Sequence, residues 1–331
     1  MNTRFLCALM AWLVVATSLS AATFNVSITN DSGAGSFRQA ITDANASPGA
    51  DVVAFNIVSG GLTISLASAL PEISEPLTVD GTTQPGFVGS PIIELNGTSA
   101  GAAADGLKIA TSNSVIRSLV INRFLGEGIE IINGASNTIA GCYVGLNRTG
   151  LTDQGNTING ILITNAANNT IGGLAAADRN YIAGNGQSGV NIGGSSTATN
   201  NVLLGNFIGL NLSGAAIVNS ADGVRVNAPK SLIGGSVAGS RNIISGNTGQ
   251  GIEITSAGAG TIVRGNYIGA DSTGTADRGN SLDGILISVS GVIIGGTNAG
   301  DGNLISGNNG DGIELSGATA SNSLVAGNII G

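Results

Sequence analysis

Charged residues recur at one position of a repeated pattern and are the first candidates for chemistry. The pattern is a glycine followed by two apolar residues that flank a variable middle residue. Because alternate residues of a β-strand point to opposite faces, the middle side chains are expected on one exposed face. The middle residues are Lys108, Glu130, Leu162, Asn191, Arg225, Glu253, Leu286 and Glu314.

Glu253, Glu314 and Arg225 are the catalytic candidates, and Glu130, Arg225 and Glu253 are the candidates for ligand binding. Two carboxylates can act as acid and base on a glycosidic bond. One strand separates Glu253 from Glu314, which places them about 10 Å apart, slightly beyond the separation typical of inverting glycosidases. Alternatively, Lys108 beside Glu130 and Arg225 beside Glu253 form ion pairs that stabilise a sheet modestly.

A second polar column precedes the same glycines and contains the candidate metal ligands. Asp283 and Asp311 lie on adjacent units, and together they could bind Ca²⁺, because hard cations need clustered oxygens. The alternative is turn chemistry, since Asp-Gly is favoured at corners. No other cofactor is expected. The column reads Asp105, Glu127, Asn159, Ser188, Asp222, Gln250, Asp283 and Asp311.

The composition excludes several classes of function. The chain has 331 residues, of which 54 are glycine, 10% are charged and none is histidine. Without histidine there is no Ser-His-Asp or Cys-His catalysis, no histidine metal site and no histidine pH switch. A net charge of -8 argues against nucleic acid or an anionic membrane surface as a partner.

The spacing of the repeats predicts the fold. Ile-Gly-Gly recurs at Ile171, Ile233 and Ile294, so a repeat of about 62 residues contains two units. Each unit has three short β-type segments separated by glycine and small polar residues. Insertions follow Gly269 in one unit and Gly296 in the next. These features predict an all-β solenoid, a parallel β-helix.

Asparagine opens the third strand of successive units and predicts a structural ladder. In-register side-chain amides about 4.8 Å apart can bond to one another along the axis, although plain turn asparagines are the alternative. Cys142 occupies the same column and is expected to be buried. Aromatic residues follow the column at Tyr143, Phe207 and Tyr267, where filling the interior is favoured over stacking on sugars. The ladder residues are Asn180, Asn206, Asn242, Asn266, Asn303 and Asn328.

The N-terminal region predicts targeting and a cap. Arg4, an apolar run and small residues up to Ala22 are typical of a secretory signal peptide, and no later stretch is long enough to span a membrane. Ser36 with Gln39 predicts a capping box that opens a helix. The repeats stop in mid-coil at Gly331, so we expect a truncated product or a further module. The predicted segments are a signal peptide (1–22), an N-terminal cap with the first coils (23–97), and the β-helix repeats (98–331).

Several motifs lie outside the strand pattern or recur at the end of each repeat. They include Asn30-Asp-Ser-Gly33, Gly35-Ser-Phe-Arg-Gln-Ala-Ile41, Pro48-Gly-Ala-Asp51, Val79-Asp-Gly-Thr-Thr-Gln-Pro-Gly86 and the Gly-Asn-x-Ile-Gly repeats. These motifs resemble those of bacterial secreted and surface proteins with right-handed parallel β-helix repeats, often found beside a CSLREA-type N-terminal segment, although the CSLREA peptide itself is absent. The resemblance implies a right-handed parallel β-helix of pectate-lyase-like architecture and a surface or adhesin-like protein.

The expected function is therefore a secreted or cell-surface module that is adhesive or structural, without catalysis, and that binds glycans. Its expected partner is a polysaccharide or a host or neighbouring cell surface. The alternative is a polysaccharide lyase, hydrolase or epimerase that acts on the exposed face. Activity screening on polygalacturonate and alginate, with and without Ca²⁺, separates the two.

Overall fold

The computed structural model describes residues 21–194 and 196–331, so residues 1–20 of the predicted signal peptide lie outside the described residues. The chain forms a right-handed parallel β-helix of about ten coils, which confirms the predicted fold class. Its strands form three parallel sheets, and each full coil contributes one strand to sheet C, then to sheet A, then to sheet B.

The strands are short because a corner interrupts the chain every few residues. Sheet A consists of Thr23–Val26, Asp51–Phe55, Leu77–Asp80, Val115–Arg117, Thr138–Ala140, Thr170–Gly172, Val202–Leu204, Leu232–Gly234, Ile262–Arg264, Ile293–Gly295 and Leu324–Ala326. Sheet B consists of Thr63–Ser65, Ile93–Asn96, Leu119–Asn122, Tyr143–Val144, Tyr181–Ile182, Phe207–Ile208, Ile243–Ile244, Tyr267–Ile268, Leu304–Ile305 and Ile329–Ile330. Sheet C consists of Leu107–Ile109, Ile129–Ile132, Ile161–Thr164, Val190–Gly193, Val224–Val226, Ile252–Ile254, Ile285–Ile287 and Ile313–Leu315.

Aliphatic side chains fill the interior in columns that run along the axis. In sheet C, Ile129, Ile161 and Val190 are fully buried and pair strand to strand. At the corner after a sheet A strand, Gly172 has a φ of +89°, and a Cβ there would meet the carbonyl oxygen of Leu204 in the next coil. Glycine is required at this corner because a side chain would block the close stacking of coils.

Two ladders of buried asparagines border sheet B. The first consists of the six asparagines predicted from the sequence and runs beside the start of the sheet B strands. Its Nδ2 to Oδ1 distances are 2.8 to 3.0 Å from one coil to the next. Cys142 continues this column, is fully buried, and donates its backbone N–H to Asn180 Oδ1 at 2.8 Å. Burial raises the pKa of the Cys142 thiol to about 12, which makes it unreactive.

The sequence analysis missed the second ladder, which follows the sheet B strands. Its amide-to-amide distances are 2.8 to 3.0 Å. Each two-residue strand in this part of sheet B therefore lies between two rows of hydrogen-bonded amides, which fix its position in the coil. The second ladder consists of Asn156, Asn185, Asn219, Asn247, Asn280 and Asn308.

The helix Phe37–Ala46 packs against the first strands of sheet A through Phe37, Ala40, Ile41 and Ala44. Ser36 Oγ accepts the backbone N–H of Gln39 at 3.2 Å. The predicted capping box is only half formed, because the Gln39 side chain donates to Asp43 at 2.7 Å instead of to Ser36. Among the described residues, no helix is long and apolar enough to cross a membrane.

Candidate binding groove

The outward face of sheet C carries the predicted column of charged residues, and opposite charges on neighbouring strands pair with each other. Lys108 Nζ lies 3.2 Å from Glu130 Oε2, and Arg225 Nη1 lies 3.2 Å from Glu253 Oε2. The Glu130 side chain raises the pKa of Lys108, which keeps the lysine charged. Much of the charge on this face is therefore neutralised within the face itself.

The structure does not bring the catalytic candidates Glu253 and Glu314 together. Leu286 lies between them in the register of sheet C. Burial and then the neighbouring Asp222 raise the pKa of Glu253, while Arg225 lowers it. Glu253 thus belongs to a group with Asp222 and Arg225, and Glu314 belongs to a different group.

Side chains of the second polar column satisfy backbone groups of the next coil. Asp105 Oδ1 accepts the N–H of Glu127 at 2.7 Å, and Glu127 Oε2 accepts the N–H of Asn159 at 2.6 Å. Asp283 Oδ1 accepts the N–H of Asp311 at 2.7 Å in the same way. These contacts give the carboxylates a structural role at the corner that leads into sheet C.

The metal candidates Asp283 and Asp311 do lie close together, with Glu314 as a third carboxylate that the sequence analysis did not assign to this group. One oxygen from each of the three lies within 4.8 Å of the others. A Ca²⁺ ion takes about six to eight oxygen ligands, and one oxygen of Asp283 is already engaged by Asp311. We assign no ion to this cluster.

The outward face of sheet B is different, because it carries a column of aromatic and aliphatic side chains. The register places Tyr143, Tyr181, Phe207, Ile243 and Tyr267 one above another on successive coils. The Tyr181 ring lies 5.6 Å from Tyr143 and 4.9 Å from Phe207. These residues form clusters separate from the interior core. The expectation that Tyr143, Phe207 and Tyr267 fill the interior was therefore wrong.

Two arginines lie over this aromatic column in the same arrangement. Arg179 Nε donates to the Gly205 carbonyl at 3.0 Å, and its guanidinium lies 4.6 Å from the centre of the Phe207 ring. Arg241 Nε donates to the Gly265 carbonyl at 3.2 Å, and its guanidinium lies 3.9 Å from the centre of the Tyr267 ring. The carbonyl and the ring hold each guanidinium in place by a hydrogen bond and a cation–π contact.

Insertions on alternate coils form two walls beside this column. One wall consists of the loops 173–179, 235–241 and 296–302, which lead into sheet B. The other consists of the hairpins 147–153, 211–216 and 271–277, which follow sheet B. Successive hairpins are linked, since the Leu212 N–H donates to the Gly150 carbonyl at 3.1 Å and Arg278 Nε donates to the Gly214 carbonyl at 2.8 Å.

The walls and the aromatic floor enclose a groove. Its central cavity measures about 540 Å³ and is lined by Arg179, Tyr181, Phe207, Arg241, Asp271 and Arg278, among others. Smaller cavities of about 180 and 190 Å³ continue it in both directions and share Arg179 or Arg241 with it. We call this surface the sheet B groove. Its size is in the range of ligand-binding clefts.

Cationic side chains without an ion pair are concentrated in the sheet B groove. Within residues 21–194 and 196–331, ion pairs engage Arg38, Lys108, Arg117, Arg123, Arg225 and Arg264. The cationic side chains of these ranges without an ion pair are Arg148, Arg179, Lys230, Arg241 and Arg278, and three of these five line the central cavity. Asp271 also lines it, and its hydrogen bond from Thr273 lowers its pKa to about 2. The cavity therefore carries three positive charges and one negative charge.

The sequence did contain a signal for the groove arginines. Arg179 and Arg241 each precede a ladder asparagine, and they lie 62 residues apart, at the period of the two-coil repeat. The sequence analysis treated Arg225, which lies on a strand, as a candidate and did not consider the arginines at corners. Whether a corner side chain points into a groove depends on the walls, whose stacking could not be predicted from spacing.

No known protein family and no curated protein sequence matches this chain. Solved structures do match it in fold. A variant of the periplasmic alginate epimerase AlgG is 15% identical with a TM-score of 0.53, and the match covers 85% of this chain and 60% of the epimerase. An alginate lyase from Paenibacillus sp. str. FPU-7 is 15% identical with a TM-score of 0.50, covering 93% of this chain and 86% of the lyase. These similarities establish the shared β-helix fold.

Proposed function

We propose that this chain is a secreted polysaccharide-binding β-helix module and that the sheet B groove is its binding site. The observation that carries the proposal is the combination of an aromatic floor with arginines that make no ion pair in the described part of the chain. The partly exposed ring of Tyr181 offers an apolar contact to a sugar ring, while the arginine forks beside it bind oxygen groups. The fold shared with an alginate epimerase and an alginate lyase supports the same class of ligand.

The proposed role is adhesive or structural. Glu130 and Glu253 of sheet C pair with cations, and Leu286 separates Glu253 from Glu314. Paired groups of this kind stabilise the coils and are poorly placed to act together on one glycosidic bond. Secretion, expected from the first 22 residues, is part of the proposal because it would bring the groove into contact with extracellular glycans.

Binding to a panel of immobilised polysaccharides tests the proposal. The panel includes polygalacturonate, alginate, xylan and dextran, and the readout is the equilibrium affinity of the purified chain. Tyr181→Ala removes the central ring of the floor and should weaken binding to the preferred polymer by about tenfold. Leu162→Ala is the matched control, because Leu162 is a partly buried outward residue of sheet C. The proposal fails if no polymer binds, or if both variants weaken binding equally.

A further inference from the structure

The two groove arginines are equivalent parts of one repeating arrangement. Each lies at the end of a wall loop, donates Nε to the glycine carbonyl one coil further on, and covers the aromatic ring of that coil. Arg179 and Arg241 are therefore two copies of the same site, displaced along the solenoid axis by two coils.

The displacement between these copies is set by the rise of the solenoid. Neighbouring parallel strands lie about 4.8 Å apart, so equivalent atoms two coils apart are separated by about 9.6 Å. In an extended polymer of 1,4-linked pyranose rings, two sugar units span a comparable length. A polymer lying along the axis would thus present the same chemical group to both arginines.

We propose that the sheet B groove binds an acidic linear polysaccharide along the solenoid axis, with the acidic groups of every second sugar bound by Arg179 and Arg241. This inference rests on the proposed function. A carboxylate or sulfate accepts two parallel hydrogen bonds from a guanidinium, and the floor residues Tyr181, Phe207 and Ile243 follow one another at one-coil intervals along the groove. Arg278 adds a third cation from the hairpin wall.

The row formed by Arg179 and Arg241 does not continue into the next copy of the repeat. The position that holds Arg179 and Arg241 is occupied by Gly302 in the next copy, where the floor residue is Leu304. Residues 21–194 and 196–331 therefore provide two strong anion contacts along this row. Affinity should rise with the length of an acidic oligosaccharide until it spans both arginines, and should then level off.

Calorimetric titration with oligogalacturonides of increasing length tests the inference. We expect Arg179→Gln and Arg241→Gln to lower affinity for a long oligomer about tenfold each. The double variant should lose about a hundredfold, the product of two independent effects. It should also abolish the gain in affinity with length. Arg241→Lys keeps the charge but lacks the planar fork, and should retain an intermediate affinity.

Lys230→Gln is the matched control, since it removes one exposed positive charge from the turn between sheets C and A. The inference is overturned if neutral xylan oligomers bind as tightly as oligogalacturonides and the arginine variants bind normally. In that case the proposed function would stand only if Tyr181→Ala still weakened binding more than Leu162→Ala. If no oligosaccharide or polymer binds at all, the proposed function itself fails. Circular dichroism of each variant confirms that the β-helix is intact.

Discussion

Sheets B and C belong to the same coils, yet their outward faces use charge in opposite ways. On sheet C, Arg225 pairs with Glu253 on the adjacent strand. On sheet B, Arg241 lies over Tyr267 and has no carboxylate partner within the described residues. A guanidinium over an aromatic ring keeps its charge available for a ligand, whereas one paired with a neighbouring carboxylate contributes to the sheet.

The insertions explain why the two faces differ. Both kinds of insertion flank sheet B, one before its strands and one after them, so their stacking forms walls on both sides. The ladders lie at the same two borders and hold the floor in place. The two-coil repeat of the sequence thus produces a single groove, in which the arginine–aromatic contact recurs every two coils.

The largest expected effect is loss of stability when the ladder beneath the groove is broken. Asn242 Oδ1 accepts hydrogen bonds from the backbone N–H and the Nδ2 of Asn206. Asn242 Nδ2 donates hydrogen bonds to the Leu203 carbonyl and to Asn266 Oδ1. Asn242→Leu leaves the buried backbone N–H of Asn206 without this acceptor, at about 1–3 kcal/mol, and removes the hydrogen bonds of the Asn242 side chain with Asn206 Nδ2, Leu203 and Asn266. Asn191→Leu makes the same change on the outward face of sheet C and should stay within about 0.5 kcal/mol. Urea denaturation measures both, and equal losses would contradict the structural role of the ladder.

A second comparison sets Arg241→Gln against Arg225→Gln. The first removes a groove cation and should weaken binding of polygalacturonate about tenfold. The second removes a cation that pairs with Glu253 and should leave binding unchanged. If binding were lost only in Arg225→Gln, the binding site would lie on sheet C, and the carboxylates of that sheet would again be the candidate site residues.

The buried carboxylate at the edge of sheet C should make stability depend on pH. Burial raises the pKa of Glu127 from 4.5 to about 7, so the folded chain holds this proton more tightly than the unfolded chain. Its stabilising contribution is complete below pH 4.5 and is lost as the pH rises to 7. The free energy of unfolding should therefore fall less in Glu127→Gln than in the wild type over this interval. Parallel pH profiles in urea denaturation would show that Glu127 does not titrate as described.

The smallest effect is expected for the ion pair of Lys108 and Glu130. The pair is partly exposed, with a separation of 3.2 Å, and pairs of this kind contribute about 0.2–1 kcal/mol. Lys108→Met should lower the free energy of unfolding within that range, and added salt should reduce the difference. A loss well above 1 kcal/mol would show that the stability of sheet C depends on its ion pairs more strongly than is expected of partly exposed pairs.

The fold and part of the site could be predicted because they depend on period. Gly172 and the asparagines recur with the coils, so spacing alone indicated the corners and the column that contains Asn242. The groove was less accessible to prediction. In a two-residue strand such as Tyr181–Ile182, alternation is too short to show which side chain points outward. The outward orientation of the Tyr181 ring depends on the preceding residue, Asn180. The hydrogen bonds of the buried Asn180 amide fix the orientation of the strand.

Tyrosine fluorescence tests the central claim most directly, because all three tyrosines of the chain lie in the outward column of sheet B. The protein is used as a chain that begins at Thr23, after the predicted signal peptide, because that chain lacks Trp12, whose emission would otherwise mask the signal. Titration with polygalacturonate should give a saturable change in tyrosine emission that weakens with salt and is lost in the Arg179→Gln, Arg241→Gln double variant. Polymer that binds in a sedimentation assay without changing tyrosine emission would contradict a site in the sheet B groove.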